Sequence, residues 1–486
     1  MSVLNALNLR ILGILQQDTH LYIRVLSFKF TLSFFAPIWY NFIGDYMEKG
    51  VLLPIFSLPS KYGVGDFGKE AHEFIDILSE NNIKYWEILP INDGGQYPYS
   101  PRSYYALNKT YISIDFLIDL GLIHNVKYKE VNSRITYDNF KEEMYKEAYS
   151  NFKKNNEYFE FVNNKNIQEY ALFMSEEYNQ EIDYNLFLQY ILDKQWKELK
   201  EYANVHGVRI IGDMPIYPDY NSVEVKYHAR YYDLVDGKME YVSGASPDCF
   251  SSEGQKWGHP LYNFEEMKKD NFIYLIERYK EFLKRYDIVR IDHFRAFDSY
   301  YKIPINEPAT SGHYEKGPGS IFFDELFKIT TSQRFIVEDL GDITKSVEDL
   351  RDKYNFTKMK ILQYTLNPDT KQDEYDNSKN MVVYTGNHDN NTIVGWYNNL
   401  EDEQKENIKS LLIENGSYNL GDKINEAIIK YALKSCAKYV IIPVQDILGL
   451  DESARINLPG HEYDNNWSWK MTDFKKFKEN IKILNT

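Results

Sequence analysis

Eight short apolar runs, most of them containing β-branched residues and ending in a polar group, recur along the chain at 50–54, 85–90, 208–213, 288–292, 335–338, 359–363, 382–385 and 439–443. Amphipathic stretches lie between several of them, at 66–80, 264–285, 343–354 and 422–437. Continuous apolar runs suit strands buried on both faces, and their alternation with helix-like segments marks parallel βα units. A count of eight predicts a (β/α)8 TIM barrel. The intervals after the second and third runs are too long for structureless loops. They predict inserted helical subdomains at about 95–206 and 214–285. Too little chain follows the eighth run for a C-terminal β-sandwich, so 47–486 reads as a single catalytic domain.

Residues 1–46 differ from the rest, with no helix caps and no clean period. Their apolar run, 31–44, falls short of the ~20 residues that a membrane span needs. It also lacks the small-residue cleavage site of a secretory signal. In AT-rich codons Ile43-Gly44-Asp45-Tyr46-Met47 back-translates to ATA GGA GAT TAT ATG, which contains AGGAGAT just ahead of ATG. The expectation is that the natural protein starts at Met47 and that 1–46 is a non-native extension.

Composition narrows the function. The chain carries 56 Lys and Arg against 72 Asp and Glu, a net charge of −16. That argues against binding nucleic acid or an anionic membrane surface, which takes clustered cations. With only two cysteines, Cys249 and Cys436, there is no disulfide scaffold, and a cytoplasmic location is expected. Neither a His-x-x-x-His ladder nor EF-hand Asp spacing is present, so no metal and no organic cofactor is expected. The 42 Tyr and 7 Trp suit a protein that stacks on sugar rings.

Barrel enzymes keep their chemistry at the C-terminal strand ends, and here those ends carry acids: Asp213, Asp292, Glu338 and, in Gly386-Asn387-His388-Asp389, Asp389. Any one of them could be an N-cap or a loop-facing Asp; together at equivalent ends they are poorly explained by chance. Arg290 and Asp292, two apart on one strand, point to the same side. The guanidinium would keep Asp292 ionised as a nucleophile, and burial among negative charges would raise Glu338 into a proton donor. That is the two-carboxylate machinery of glycoside chemistry. Asp389 would stabilise positive charge at the anomeric carbon, and His388 would donate to a sugar hydroxyl.

The motifs resemble those of 4-α-glucanotransferases of the amylomaltase type, glycoside hydrolase family 77, over about 48–470. They include Ser57-Leu-Pro-Ser-Lys-Tyr-Gly-Val-Gly-Asp-Phe-Gly68, Gly212-Asp-Met-Pro-Ile-Tyr217, Pro247-Asp-Cys-Phe-Ser-Ser-Glu-Gly-Gln-Lys-Trp-Gly258, Arg290-Ile-Asp-His-Phe-Arg295, Glu338-Asp-Leu-Gly341, His388-Asp-Asn390 and Asn466-Trp-Ser-Trp469. The resemblance implies transfer of α-1,4-glucan segments between malto-oligosaccharides by a retaining double displacement. Asp292 would be the nucleophile, Glu338 the acid and base, and Asp389 the transition-state stabiliser. Arg290, His388 and Asp213 would line the subsite at the cleaved bond; Trp257, Gln255, Phe250 and Asp248 would grip the glucan from a loop. The bland alternative for Trp257 is packing beneath that loop. The chain departs from the family pattern at Ser246, at Gly258-His259, at Asn387 and in Tyr99-Ser-Pro-Arg-Ser103, for which no acceptor contacts are assigned. Two rivals stay open: an α-amylase-like hydrolase using the same acids, and a glucan-binding protein without catalysis.

Overall fold

In the computed structural model twelve strands run in chain order: β1 (Glu48–Leu52), β2 (Tyr85–Glu87), β3 (Arg209–Met214), β4 (Tyr241–Ala245), β5 (Gln255–Lys256), β6 (Ile288–Ile291), β7 (Ser299–Pro304), β8 (His313–Lys316), β9 (Phe335–Val337), β10 (Lys358–Ile361), β11 (Met381–Tyr384) and β12 (Tyr439–Pro443). The structure describes residues 47–94, 97–124, 126, 134–247, 251–366, 379–460 and 465–486, without the side chains of 134–139. The extension 1–46 lies outside the described residues.

Eight strands form one parallel sheet in the order β10-β11-β12-β1-β2-β3-β6-β9. The two ends meet through a parallel bridge between Ile336 and Thr357, where the Val337 N–H donates to the Thr357 carbonyl at 3.0 Å. The sheet is a closed (β/α)8 barrel, and its strands coincide with the eight runs read from the sequence to within two residues at their starts.

Alternation explains the interior. Leu52, Tyr85, Ile211, Ile288, Ile336, Met359, Ile361, Val382, Tyr384, Tyr439 and Ile441 form one buried cluster inside the barrel. Gly212, between two inward residues of β3, faces outward against the Tyr286 ring. A Cβ there would sit 2.2 Å from that ring, so the close strand–helix approach requires glycine. The helix Lys69–Glu80 buries Ala71, Phe74, Ile75 and Leu78, the i, i+3, i+4, i+7 stripe of an amphipathic helix. Phe74 packs edge-on against the outward Trp86 of β2.

The interval between β2 and β3 is helical as expected, ending in the 24-residue helix Ile182–Val205. The interval between β3 and β6 is not purely helical. It supplies β4 and β5, which join β7 and β8 in an antiparallel sheet of order β5-β4-β7-β8. Residues 48–486 form one compact unit.

Candidate active site

Register assembles the site. β3, β6 and β9 are neighbours, and Asp213 pairs with Arg290 across the sheet while Ile291 pairs with Val337. Arg290 therefore lies between two acids. Its Nη1 donates to both oxygens of Asp213, at 2.8 and 2.7 Å, and its Nη2 to Glu338 Oε2 at 2.8 Å. Asp292 Oδ1 is a looser partner at 3.4 Å. After β6 the chain turns sharply through His293, whose positive φ of 47° aims its backbone N–H at Glu338 Oε2, 3.0 Å away. The Ile216 N–H reaches Asp292 Oδ2 at 3.3 Å. One guanidinium thus holds two catalytic candidates, Asp292 and Glu338, within hydrogen-bonding reach of each other.

Exposure sorts the acids. Asp213 and Arg290 are 1% exposed, whereas the side chains of Asp292, Glu338 and Asp389 show 19%, 21% and 35% to a cleft of about 330 Å3. Asp213 and Arg290 do not line that cleft. They lie beneath its floor, bonded to each other and, through Arg290, to the acids that line it. The physical reason is the strand alternation that brings both inward, where each satisfies the other's charge.

Electrostatics also differ from expectation. Burial and the charge of Glu338 push Asp292 well above the usual carboxylate range. Burial would raise Glu338 too, but Arg290, the His293 amide and the Asp292 side chain outweigh it and hold Glu338 down at about 2. Arg290 and the His293 amide are aimed at Glu338 rather than at Asp292, so in the free site negative charge is favoured on Glu338 over Asp292.

Across the cleft, Asp389 Oδ1 accepts from Asn457 Nδ2 at 2.7 Å, and its carbonyl accepts from Arg455. The buried His388 stacks on Tyr99 with ring centres 5.1 Å apart. Trp257 lines the cleft edge-on to His293 at 4.7 Å, and its Nε1 donates to Gln255 Oε1 at 3.1 Å. The pairing of Ala245 with Gln255 between β4 and β5 brings this segment over the site. Asp248 and Phe250 fall outside the described residues.

Tyr99, Trp467 and His259 also line the cleft, although the sequence reading gave them no site role. Tyr99 donates to Asp213 Oδ2 at 2.6 Å, and its ring lies 5.8 Å from Trp467. His259 Nε2 meets Ser100 Oγ at 2.8 Å; burial lowers its pKa to about 4, so it is neutral at pH 7. Among the described residues no cluster of three His, Cys, Asp or Glu could hold a metal ion, and no helix is long and apolar enough to cross a membrane.

One buried acid sits deeper. Glu87 of β2 accepts from the Tyr384 hydroxyl at 2.7 Å, and burial raises its pKa to about 7 against the relief given by Tyr384 and Arg290. The folded state therefore keeps a proton that the unfolded chain releases near pH 4.5, so stability falls as pH rises from 4.5 through about 7. Glu87→Gln keeps an acceptor for Tyr384 and removes that penalty. At pH 8 it should stabilise the protein by about 3 kcal/mol, seen as a higher Tm that converges with the parent's below pH 4.5.

A (β/α)8 barrel with braced carboxylates at its strand ends, in a cleft walled by Tyr, Trp and His rings, defines a carbohydrate-active enzyme. Comparison with known proteins gives the particular group. Residues 53–180 and 174–476 match glycoside hydrolase family 77, 4-alpha-glucanotransferase. The 4-alpha-glucanotransferase of Aquifex aeolicus is 34% identical, covering 90% of this chain and 98% of that one. The Streptococcus pneumoniae 4-alpha-glucanotransferase is also 34% identical, over 88% of this chain and 93% of its own. The structure of amylomaltase from Streptococcus agalactiae in complex with acarbose superposes with a TM-score of 0.84 at 30% identity, covering 91% of this chain and 99% of that one. The chain belongs to glycoside hydrolase family 77 and is a glycosyltransferring enzyme, a 4-alpha-glucanotransferase.

Proposed function

We propose that the enzyme moves a segment of an α-1,4-glucan to the 4-hydroxyl of a second malto-oligosaccharide by a retaining double displacement, in the cytoplasm, within a single catalytic unit spanning 47–486. The observation that carries this reading is the closeness of Asp292 and Glu338, both held by Arg290. Carboxyl groups in mutual reach leave no room for the water that an inverting enzyme seats between them. Asp292 attacks the anomeric carbon. Glu338 protonates the departing oxygen, then as a base takes the proton of the incoming 4-hydroxyl. Asp389, fixed by Asn457 and Arg455, faces the positive charge that develops at the ring.

These roles require the shared proton on Glu338 when the bond breaks. A glycosidic oxygen arriving beside Glu338 gives that proton an acceptor, while Asp292 keeps Arg290 and the Ile216 amide to stabilise its charge. Transfer beats hydrolysis only if the acceptor is bound and oriented, since water stands at ~55 M and orientation is worth as much as ~7–11 kcal/mol. Tyr99, Trp257 and Trp467 are the surfaces placed to do so.

Pure protein incubated with maltotriose should release glucose together with a ladder of maltodextrins longer than the substrate. Reducing ends that accumulate with no lengthened product would favour the amylase-like hydrolase, and binding without any product would favour the inert glucan binder.

A further inference from the structure

The helix Ile273–Arg285, just before β6, buries Leu275, Tyr279 and Phe282, and Arg278 falls in the same i, i+3, i+4, i+7 stripe. Arg278 is 3% exposed. Its Nη1 donates to the Ile216 carbonyl at 3.0 Å and to the Tyr262 hydroxyl at 2.5 Å, and its Nη2 donates to the Pro215 carbonyl. The guanidinium carbon lies 3.5 Å from the centre of the Tyr104 ring. None of these partners carries a charge, and Nε is buried with no hydrogen-bond partner. A buried cation that bonds only neutral groups is costly, and an apolar side chain would fill the stripe at less expense. Packing therefore does not account for an arginine here.

The peptide bonds it grips do. The Pro215 carbonyl and the Ile216 N–H belong to one planar trans peptide and point opposite ways. A donor that fixes the carbonyl thereby aims the N–H, and this is the N–H that reaches Asp292 Oδ2 at 3.3 Å. The next carbonyl, of Ile216, is held by Arg278, by the Tyr262 hydroxyl at 2.6 Å and by the Tyr104 hydroxyl at 3.2 Å. Both peptides of the turn after β3 are thus locked from one side. A cation on the Pro215 carbonyl also polarises that peptide and strengthens its N–H as a donor. Asp292 has most need of such a donor, since its contact with Arg290 is the loose one, at 3.4 Å.

We propose that Arg278 is a positioning residue for the nucleophile: it holds the Pro215–Ile216 peptide so that the amide orients Asp292 and keeps it ionised for attack on the anomeric carbon. This role rests on the double displacement proposed above. It belongs to a side chain that touches neither the sugar nor the reacting atoms.

Arg278→Met and Arg278→Lys, each made in the Glu338→Gln protein, test it with α-maltosyl fluoride. Asp292 forms the ester bond to the anomeric carbon as the C–F bond breaks and fluoride leaves with the bonding pair, so the fluoride burst reads the attack without any proton from residue 338. In Arg278→Met the rate constant of the burst should fall at least about tenfold, the scale of one hydrogen bond to a charged group, while its amplitude still equals the enzyme present. In Arg278→Lys, whose ammonium reaches one carbonyl where the guanidinium spans two, the fall should be about threefold; this variant decides the matter if the Met protein does not fold. An unchanged rate constant in every variant that folds overturns the proposal. So does a burst of smaller amplitude at an unchanged rate, which would make Arg278 a support of the fold alone. Absence of a burst in the Glu338→Gln protein itself would instead overturn the double displacement, so the two are separable.

Discussion

Asp292→Asn should lower kcat on maltotriose at least about 10^4-fold, the scale seen when a covalent nucleophile is removed. An amide oxygen carries no full negative charge to give the anomeric carbon, so no glycosyl ester forms. The loss should be chemical rather than structural. The amide can still accept from the Ile216 N–H, and Arg290 keeps its short bonds to Asp213 and Glu338. The substitution also removes one of two acids whose charges disfavour each other in a buried site. Melting temperature should therefore hold or rise, and maltotriose should still bind by calorimetry. Turnover within tenfold of the parent would take the nucleophile's role away from Asp292. A collapse in Tm would show instead that its carboxyl is a structural partner of Arg290.

The strands were legible because each carries its own signal: a few apolar residues, buried on both faces, stopping at a polar end. The acids at those ends were legible for the same reason, since a carboxylate such as Glu338 after Phe335-Ile336-Val337 stands out from what precedes it. The second sheet carried no such signal. β5 is two residues long, β8 has no fully buried residue, and the pairing that makes one sheet of them, β4 with β7, joins strands on either side of β6. Tyr99 was missed because its partner, Asp213, lies 114 positions away, and nothing local in Tyr97-Pro98-Tyr99 says where the hydroxyl goes. The inward alternation of β3 and β6 was visible in principle. How deep it would sink Asp213 and Arg290 was not, because depth depends on barrel closure.

The resting place of the shared proton is the least legible feature. On one strand, the i, i+2 spacing makes Asp292 the natural partner of Arg290. In the barrel, β9 brings Glu338 to Nη2 and β3 brings Asp213 to Nη1, and Asp292 is left the weakest of the three contacts. Neighbouring strands, not neighbouring residues, decide which carboxylate is charged in the free site. The site then stays singly protonated over a wide range. Arg290 and the His293 amide hold Glu338 below the ordinary carboxylate range, while burial and the charge of Glu338 hold Asp292 above it. The pH profile of kcat/KM should accordingly be limited on its alkaline side by loss of the shared proton.

Glu338→Gln should cut turnover of maltotriose by about 10^2–10^4-fold, the usual contribution of a general acid and base, and the deficit should depend on the leaving group. Departure of a sugar alkoxide needs a proton; departure of fluoride does not. With α-maltosyl fluoride the first step should therefore recover, giving a burst of fluoride equal to the enzyme present. Without the base, the incoming 4-hydroxyl stays a poor nucleophile and the maltosyl ester on Asp292 accumulates. Intact-mass measurement should register the added maltosyl group, and peptide mapping should place it on the segment containing Asp292. Azide needs no base, so adding it should restore turnover and release α-maltosyl azide, the anomer expected after two inversions. Gln can still accept from Arg290 Nη2 and the His293 N–H, so the floor of the site should remain in place. Equal losses on maltotriose and on the fluoride, with no burst and no azide product, would deny Glu338 its part in proton transfer and leave it only a partner of Arg290.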